Sequence, residues 1–441
     1  MSDNNPSETK RWLKVLNVLV PLGLTAVALF ITLEISLRLF YQLIPIEVCA
    51  ADPIIGTYLC QPYFEYDKPM RIGYKYEPGF RLEGLWNPAN PYLANPENST
   101  APTDRDDSFP YVFETDEMGF PNSQYEWQDE YDVIIAGDSF TIRTAPKTWI
   151  ELLAEQTSQD ILTLGAPSWS TLNEVEAIKQ FGLDKKPDWV VVMFFEGNDL
   201  INTGQYLERR DSGLDWREYD MQDVLLRRKL ITPHFARYLW GKLFPAETAE
   251  PQKYRYPVVA NTEVGEIETV FKEVHLLPLS ADYETLAQSD EYEAIAQGLR
   301  ELEGLVEEQG GRLLLVYIPS KEHLLWSRVW DETDVNNVLE RTVTVSLSEG
   351  DHGRLQFEPS YLNYNQFNEN QRAQEQLLTD FTTEAGIEFL NLTPLFWQKS
   401  IAEGELYHYG DPHWNQAGNQ LAADAITDYL NENATNFGRN E

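Results

Sequence analysis

A serine, a histidine and an aspartate able to relay one proton are the first chemistry offered by this chain of 441 residues. Ser139 stands in the run Val133-Ile-Ile-Ala-Gly-Asp-Ser-Phe-Thr141, where an apolar stretch meets Gly137-Asp138-Ser139. That pattern predicts a short buried strand ending in a tight turn that presents the serine. Far downstream, Tyr407-His-Tyr-Gly-Asp-Pro-His-Trp-Asn415 sets Asp411 two residues before His413. A carboxylate that close can hold an imidazole and leave its other nitrogen free to take the serine proton. Plainer readings stand beside this one, since Gly-Asp-Ser is a common turn tripeptide and a histidine can satisfy a buried loop. His408, Asp411 and His413 are also zinc-type donors, although no further His or Cys cluster completes such a site.

Two glycine-containing segments fall between these residues. Gly165 follows Leu162-Thr-Leu, and Gly197-Asn198-Asp199 follows Met193-Phe-Phe-Glu. A glycine at a strand end lets a substrate approach a backbone N–H, and an asparagine amide can donate to a developing oxyanion. Together they would line an oxyanion hole. Alternatively, Gly165 closes a turn and Asn198 and Asp199 cap the next segment.

The elements that must position these groups alternate between β and α. A helix starts at Trp149–Leu153, a strand covers Ile161–Leu164, and Thr171 with Glu174 reads as a capping box for a helix ending before Gly182. Trp189–Phe195 is the next strand. After an interruption come a helix over Glu291–Glu308 stopped by Gly310-Gly311, a strand over Leu313–Ile318, a helix over Glu369–Glu384, a strand over Ile387–Leu390 and a helix over Gln416–Leu430. This alternation predicts an α/β fold, a parallel sheet with helices on both faces and ligands at the carboxyl ends of its strands. The serine, glycine and asparagine motifs fall at those ends.

The interruption, about residues 200–290, reads as an insertion near the active-site edge able to act as a cap, with helical pieces and then two strands. Lys321, just after the Leu313–Ile318 strand, either reaches the cleft or is solvated in its loop. Trp169, Trp326 and Trp414 either stack on a ring-shaped ligand or simply pack.

Upstream, Val15 to Leu33 carries no charge and apolar character continues to Ile46, enough to cross a bilayer as a helix. Lys10, Arg11 and Lys14 precede it while Glu47 and Asp52 follow, so the positive-inside rule leaves the N-terminus cytoplasmic and the remainder outside. A retained anchor is favoured over a cleaved signal peptide because the apolar stretch exceeds a usual signal core. Cys49 and Cys60 would then meet an oxidising compartment and pair, two separate buried thiols being the alternative. The predicted organisation is a tail (1–14), an anchor (15–46), a β-rich lead-in (47–128), an α/β domain (129–434) and a short tail (435–441). With 71 acidic against 34 basic residues the formal charge is -37, which disfavours nucleic acid as a partner. No cofactor is expected.

Taken in order, Gly137-Asp138-Ser139, Gly165, Gly197-Asn198-Asp199 and Asp411-Pro-His413 resemble the four blocks of the SGNH (GDSL) hydrolase superfamily, over about Asp116 to Leu430. The resemblance implies a flavodoxin-like three-layer α/β/α sheet. It also implies Ser139 as nucleophile, His413 as base, Asp411 as its partner, and an oxyanion hole of the Ser139 and Gly165 N–H groups with the Asn198 amide. Asp138, Asp199, Trp414 and Lys321 would support them. Many members place the aspartate three residues before the histidine, whereas Asp411-Pro-His413-Trp414 is similar to the alginate O-acetyltransferase-like branch, as is Ile318-Pro-Ser-Lys-Glu322. That branch acts on exported polysaccharides, so the expected substrate is an acylated carbohydrate or small ester and the expected partners belong to polysaccharide biosynthesis. A lipid esterase and a non-catalytic polysaccharide-binding or assembly protein on a hydrolase scaffold are the alternatives. No second glycine follows Ser139, which argues against the nucleophile elbow of α/β-hydrolases.

Overall fold

The computed structural model describes residues 6–40, 64–86, 109–122, 124–216, 218–219, 230–244, 255–329 and 364–433. The chain divides into two compact units. One joins Met1–Pro62 to Arg217–Ala249, and the other joins Tyr63–Trp216 to Glu250–Glu441. The lead-in from Tyr63 onward therefore belongs with the α/β core, while Arg217–Ala249 of the insertion belongs with the apolar N-terminal helix. That is a different division from the sequential one the sequence suggests.

In the first unit a helix runs over Pro6–Leu39, and its 23-residue part Asn17–Leu39 is long and apolar enough to cross a membrane. The expected span reached Ile46, but residues 41–46 lie outside the described ones. So do Cys49 and Cys60, the expected disulfide. A second helix of this unit covers Ile231–Leu243.

In the second unit the lead-in forms two antiparallel pairs, β1 (Phe64–Tyr66) with β2 (Tyr74–Tyr76) and β3 (Arg81–Trp86) with β4 (Phe109–Glu114). Then come β5 (Val133–Gly137), β6 (Ile161–Gly165) and β7 (Trp189–Phe195), the hairpin β8 (Arg255–Thr262) and β9 (Gly265–Lys272), and finally β10 (Arg312–Ile318) and β11 (Glu388–Asn391). Five of these pair in parallel in the order β11-β10-β7-β5-β6. Numbered by their own sequence this is the order 2-1-3-4-5, the flavodoxin-like arrangement, with its switch point between β5 and β7.

Every residue of β5 and β7 is buried, so these strands read as continuous apolar runs and not as alternating ones. Successive residues still face opposite layers. Ile134, Ala136, Val190, Val192 and Leu315 pack toward the helices Thr171–Ala177, Asp290–Glu308 and Ala373–Ala385. Val133, Ile135, Val191, Met193 and Val316 pack toward Trp149–Thr157, Thr393–Ala402 and Gln416–Asn433.

The lead-in is tied to the turn after β6. Tyr74 Oη donates to the Pro167 carbonyl at 2.5 Å, Trp169 Nε1 donates to the Tyr74 carbonyl at 2.9 Å, and Asn173 Nδ2 donates to the Ile72 carbonyl at 2.8 Å. Asn122 finishes the exposed edge of β6 by accepting from Thr163 N at 2.8 Å and donating to its carbonyl at 3.0 Å. A strand edge so occupied is closed to pairing with another chain.

Candidate active site

β5 ends at Gly137, directly opposite Gly165 of β6. A Cβ on Gly165 would lie 2.0 Å from Thr141 Oγ1 and 2.8 Å from the Gly137 carbonyl oxygen, so only glycine lets the serine turn sit this close. Ser139–Thr141 is a single 3-10 turn capped by Asp138, whose Oδ1 accepts from Phe140 N at 3.0 Å. This raises Ser139 out of the sheet edge.

The His413 loop closes on itself. The backbones of Tyr407 and Trp414 form a bridge, His408 N donates to the His413 carbonyl at 3.0 Å, and Asn415 N donates to the Leu406 carbonyl at 3.0 Å. Its imidazole reaches in both directions, with Nε2 2.7 Å from Ser139 Oγ and Nδ1 2.5 Å from Asp411 Oδ1. Asp411 also accepts from His413 N at 3.0 Å. Burial opposes the charge on Asp411, but the His413 and His408 imidazoles and those two hydrogen bonds outweigh it and hold the carboxyl well below the usual range. His408 is turned elsewhere, its Nε2 2.8 Å from the Thr144 carbonyl oxygen.

Asn198, at the end of β7, caps nothing with its side chain. Its Nδ2 donates to Asp138 Oδ2 at 3.0 Å. Asp199 is buried and accepts from Phe195 N at 2.6 Å and from Thr171 N and Oγ1 at 2.9 Å, joining the end of β7 to the next helix layer. Ser139, Asn198 and His413 are partly exposed while Asp138, Gly165, Asp199 and Asp411 are buried, so solvent and substrate can reach the reacting groups.

Two sequence expectations are corrected, and one open alternative is decided. Lys321 neither reaches the cleft nor lies in solvent: it is buried and its Nζ donates to the carbonyls of His408 and Tyr409 at 3.0 and 2.9 Å. Trp169, Trp326 and Trp414 are all buried and pack in the core, with Trp414 edge-on to Phe140 at 4.8 Å, so none offers a ring to a ligand. The capping box lies one residue earlier than expected, with Asn173 Oδ1 accepting from Ser170 N at 2.8 Å and Ser170 Oγ at 2.7 Å. Thr171 is engaged by Asp199 instead. Glu174 is left fully buried, with neither carboxyl oxygen hydrogen-bonded among the described residues. Burial, and then the charges of Asp199 and Asp138, raise its pKa well above the carboxylate range.

Sequence reading also missed a buried cluster beneath the site. Glu196 accepts from Ser320 N at 2.6 Å and from the Tyr317 hydroxyl, and lies 3.0 Å from His323 Nδ1. Burial works against charge on His323, yet Glu196 beside it lifts the imidazole above its usual range. The signal was a lone acid ending the apolar β7 run. From the insertion, the β8–β9 hairpin braces the same loop that Lys321 holds, through Val270 N to the Tyr409 carbonyl at 3.0 Å and Tyr409 Oη to Glu268 at 3.0 Å.

Four motif blocks thus meet at the carboxyl edge of a sheet in 2-1-3-4-5 order. The fold is an α/β one, a five-stranded parallel sheet of flavodoxin-like order packed by helices. No protein-family model and no curated protein matches the sequence. Among solved structures, an acetyl xylan esterase shares 12% identity over 68% of this chain and 98% of its own, with a TM-score of 0.32. A protein described as a GDSL-like lipase from Parabacteroides merdae shares 10% identity over 69% of this chain and 98% of its own, with a TM-score of 0.32. The lipase/acylhydrolase from Enterococcus faecalis shares 10% over 68% and 95%, with a TM-score of 0.29. Likenesses this distant leave the chemistry of the site to be read from its own geometry.

Proposed function

We propose that this chain is a serine esterase or O-acyltransferase, anchored in the cytoplasmic membrane by Asn17–Leu39 with its catalytic unit outside, acting on a short acyl group carried by a carbohydrate. The observation that carries the reading is the continuous hydrogen-bond chain from Ser139 Oγ through His413, 2.7 Å on one side and 2.5 Å on the other, to Asp411. His413 Nε2 accepts the serine proton as Oγ attacks the acyl carbonyl carbon. The Ser139 and Gly165 N–H groups and the Asn198 amide receive the oxyanion, and His413 returns the proton to the departing alkoxide oxygen. Water or a sugar hydroxyl, deprotonated in turn by His413, then takes the acyl group. Asp411 stays ionised and stabilises the transient imidazolium.

Acetyl is the favoured acyl group because Asp411-Pro-His413-Trp414 resembles the polysaccharide acetyltransferases and because the outer face of a membrane is where acylated glycans are built. A formal charge of -37 favours a neutral or sparsely charged acceptor at low salt. Its partners would be proteins of polysaccharide assembly. The test is labelling of the purified chain with a serine-directed phosphonate, mapped by mass spectrometry, followed by assay on acetylated glycans and long-chain acyl esters. Modification of Ser139 with turnover of acetylated sugars supports the reading. An unlabelled Ser139 overturns the enzyme, and preference for acyl chains of eight carbons or more replaces the substrate with a lipid.

A further inference from the structure

Glu34 is an acid inside the apolar span, five positions before the last residue of Asn17–Leu39. At about 1.5 Å per residue it lies roughly 7 Å inside that end of the span, where an unpartnered carboxylate is costly. It is not unpartnered. Its Oε1 accepts from Arg38 Nε at 2.8 Å and Ile231 N at 3.1 Å, and its Oε2 accepts from Thr232 N at 2.8 Å and Thr232 Oγ1 at 2.7 Å.

The Ile231 and Thr232 donors lie in the first turn of the helix Ile231–Leu243. Its N-cap position is Leu230, which has no side-chain acceptor, and its first turn holds no acidic residue. Glu34 therefore does both jobs from the neighbouring helix, satisfying orphan N–H groups and placing a negative charge at the positive end of the helix dipole. These hydrogen bonds set the start of the second helix at the depth of Glu34, near one end of the apolar span.

Its surface suits that position. Leu239, Trp240, Leu243 and Phe244 are 44%, 65%, 71% and 58% exposed, an apolar, aromatic group at the end of the helix away from Glu34. Trp240 and Phe244 rings lie 4.5 Å apart. From Leu230 to Phe244 there is no acidic residue but there are Arg237 and Lys242, in a chain whose formal charge is -37. Aromatic side chains beside basic ones are the composition of a helix lying in a membrane interface, attracted by anionic headgroups.

We infer that Ile231–Leu243 is a second membrane element, an interfacial helix locked to the transmembrane helix by Glu34 and immersed in lipid through Leu239, Trp240, Leu243 and Phe244. This rests on the membrane-anchor reading above. The experiment puts the full chain in nanodiscs of phosphatidylcholine and phosphatidylglycerol that carry a diazirine-bearing phosphatidylcholine, then maps lipid adducts by mass spectrometry after illumination. Adducts on Asn17–Leu39 and also on the Leu239–Phe244 patch are expected. The Glu34→Ala variant should lose the patch adducts several-fold while keeping those before residue 34. Adducts confined to Asn17–Leu39 would overturn the interfacial helix and leave the anchor standing, the more so if crosslinking showed a second copy of the chain covering the patch. Adducts in neither region would overturn the anchor itself.

Discussion

The Asn198 amide donates to Asp138 Oδ2 at 3.0 Å, joining the turn after β7 to the turn after β5 beside the serine. The other oxygen of Asp138 accepts from Phe140 N at 3.0 Å, so one carboxylate orients both the serine turn and the amide. Rotating the amide by half a turn would set its oxygen against that carboxylate. Asp138 therefore keeps an N–H, and not a carbonyl, on this side of the site.

The first prediction concerns that pair. Asn198→Ala should lower kcat on an aryl acetate by about 10²- to 10³-fold, the loss of one oxyanion donor. Asp138→Ala should approach the same loss, and the double variant should be scarcely slower than the worse single one, because both act through one geometry. Losses that multiply in the double variant would show that Asp138 works independently of Asn198.

Ser139→Ala and His413→Ala should each remove nearly all turnover, with no further loss when combined. Asp411→Asn should cost about 10⁴-fold, as an imidazole loses its orienting charge. Since the folded pKa of Asp411 is depressed, its stabilising charge is present above the unfolded value of about 3.9 and is lost only as pH falls through the lower folded one. The stability deficit of Asp411→Asn should thus be full at pH 7 and shrink below about pH 4. A deficit that persists unchanged in acid, measured by urea melts, would contradict the assigned shift.

Lys321→Met should leave the His408 and Tyr409 carbonyls short of a donor, destabilising the chain by about 1–3 kcal/mol. Because the Lys321 Nζ holds the His408 and Tyr409 carbonyls of the His413 loop, kcat should fall while KM changes little. Lys321→Arg should not restore it, since a guanidinium exceeds the buried space of an ammonium. A folded Lys321→Met enzyme with unchanged kcat would remove Lys321 from the positioning of His413.

Glu174→Gln should stabilise the protein. A buried carboxyl with a raised pKa keeps a proton that the unfolded chain has released, so stability falls as pH rises above the unfolded value of about 4.3. The neutral amide abolishes that slope. Its advantage should grow by about 1.4 kcal/mol per pH unit until the folded carboxyl itself ionises. A gain that does not depend on pH would mean that Glu174 is already ionised in the folded state.

Much of the fold was legible because its signals are local. An all-apolar run such as Trp189–Phe195 can only be a buried strand or helix segment, and the glycine and asparagine after it decide for a strand end. Likewise Asp411 and His413 stand two residues apart, so their pairing needed only a tight loop. The lead-in and the insertion were harder, since their strands are short and their partners distant in sequence.

The sequence by itself determined the order of the five parallel strands, the serine, glycine and asparagine blocks at their ends, the paired Asp411 and His413 in a loop, and an apolar span at the N-terminus. Only the tertiary structure decided where the long polar side chains go. Lys321 read as a loop lysine until the His408–Tyr409 carbonyls came to lie over it, and Glu174 read as a helix cap until Asn173 took that place and the core closed around it. Strand and turn preferences arise within a few residues of chain. Whether a charge meets water, a carbonyl or nothing depends on elements far away in sequence, such as the loop 87 residues beyond Lys321 that supplies its acceptors.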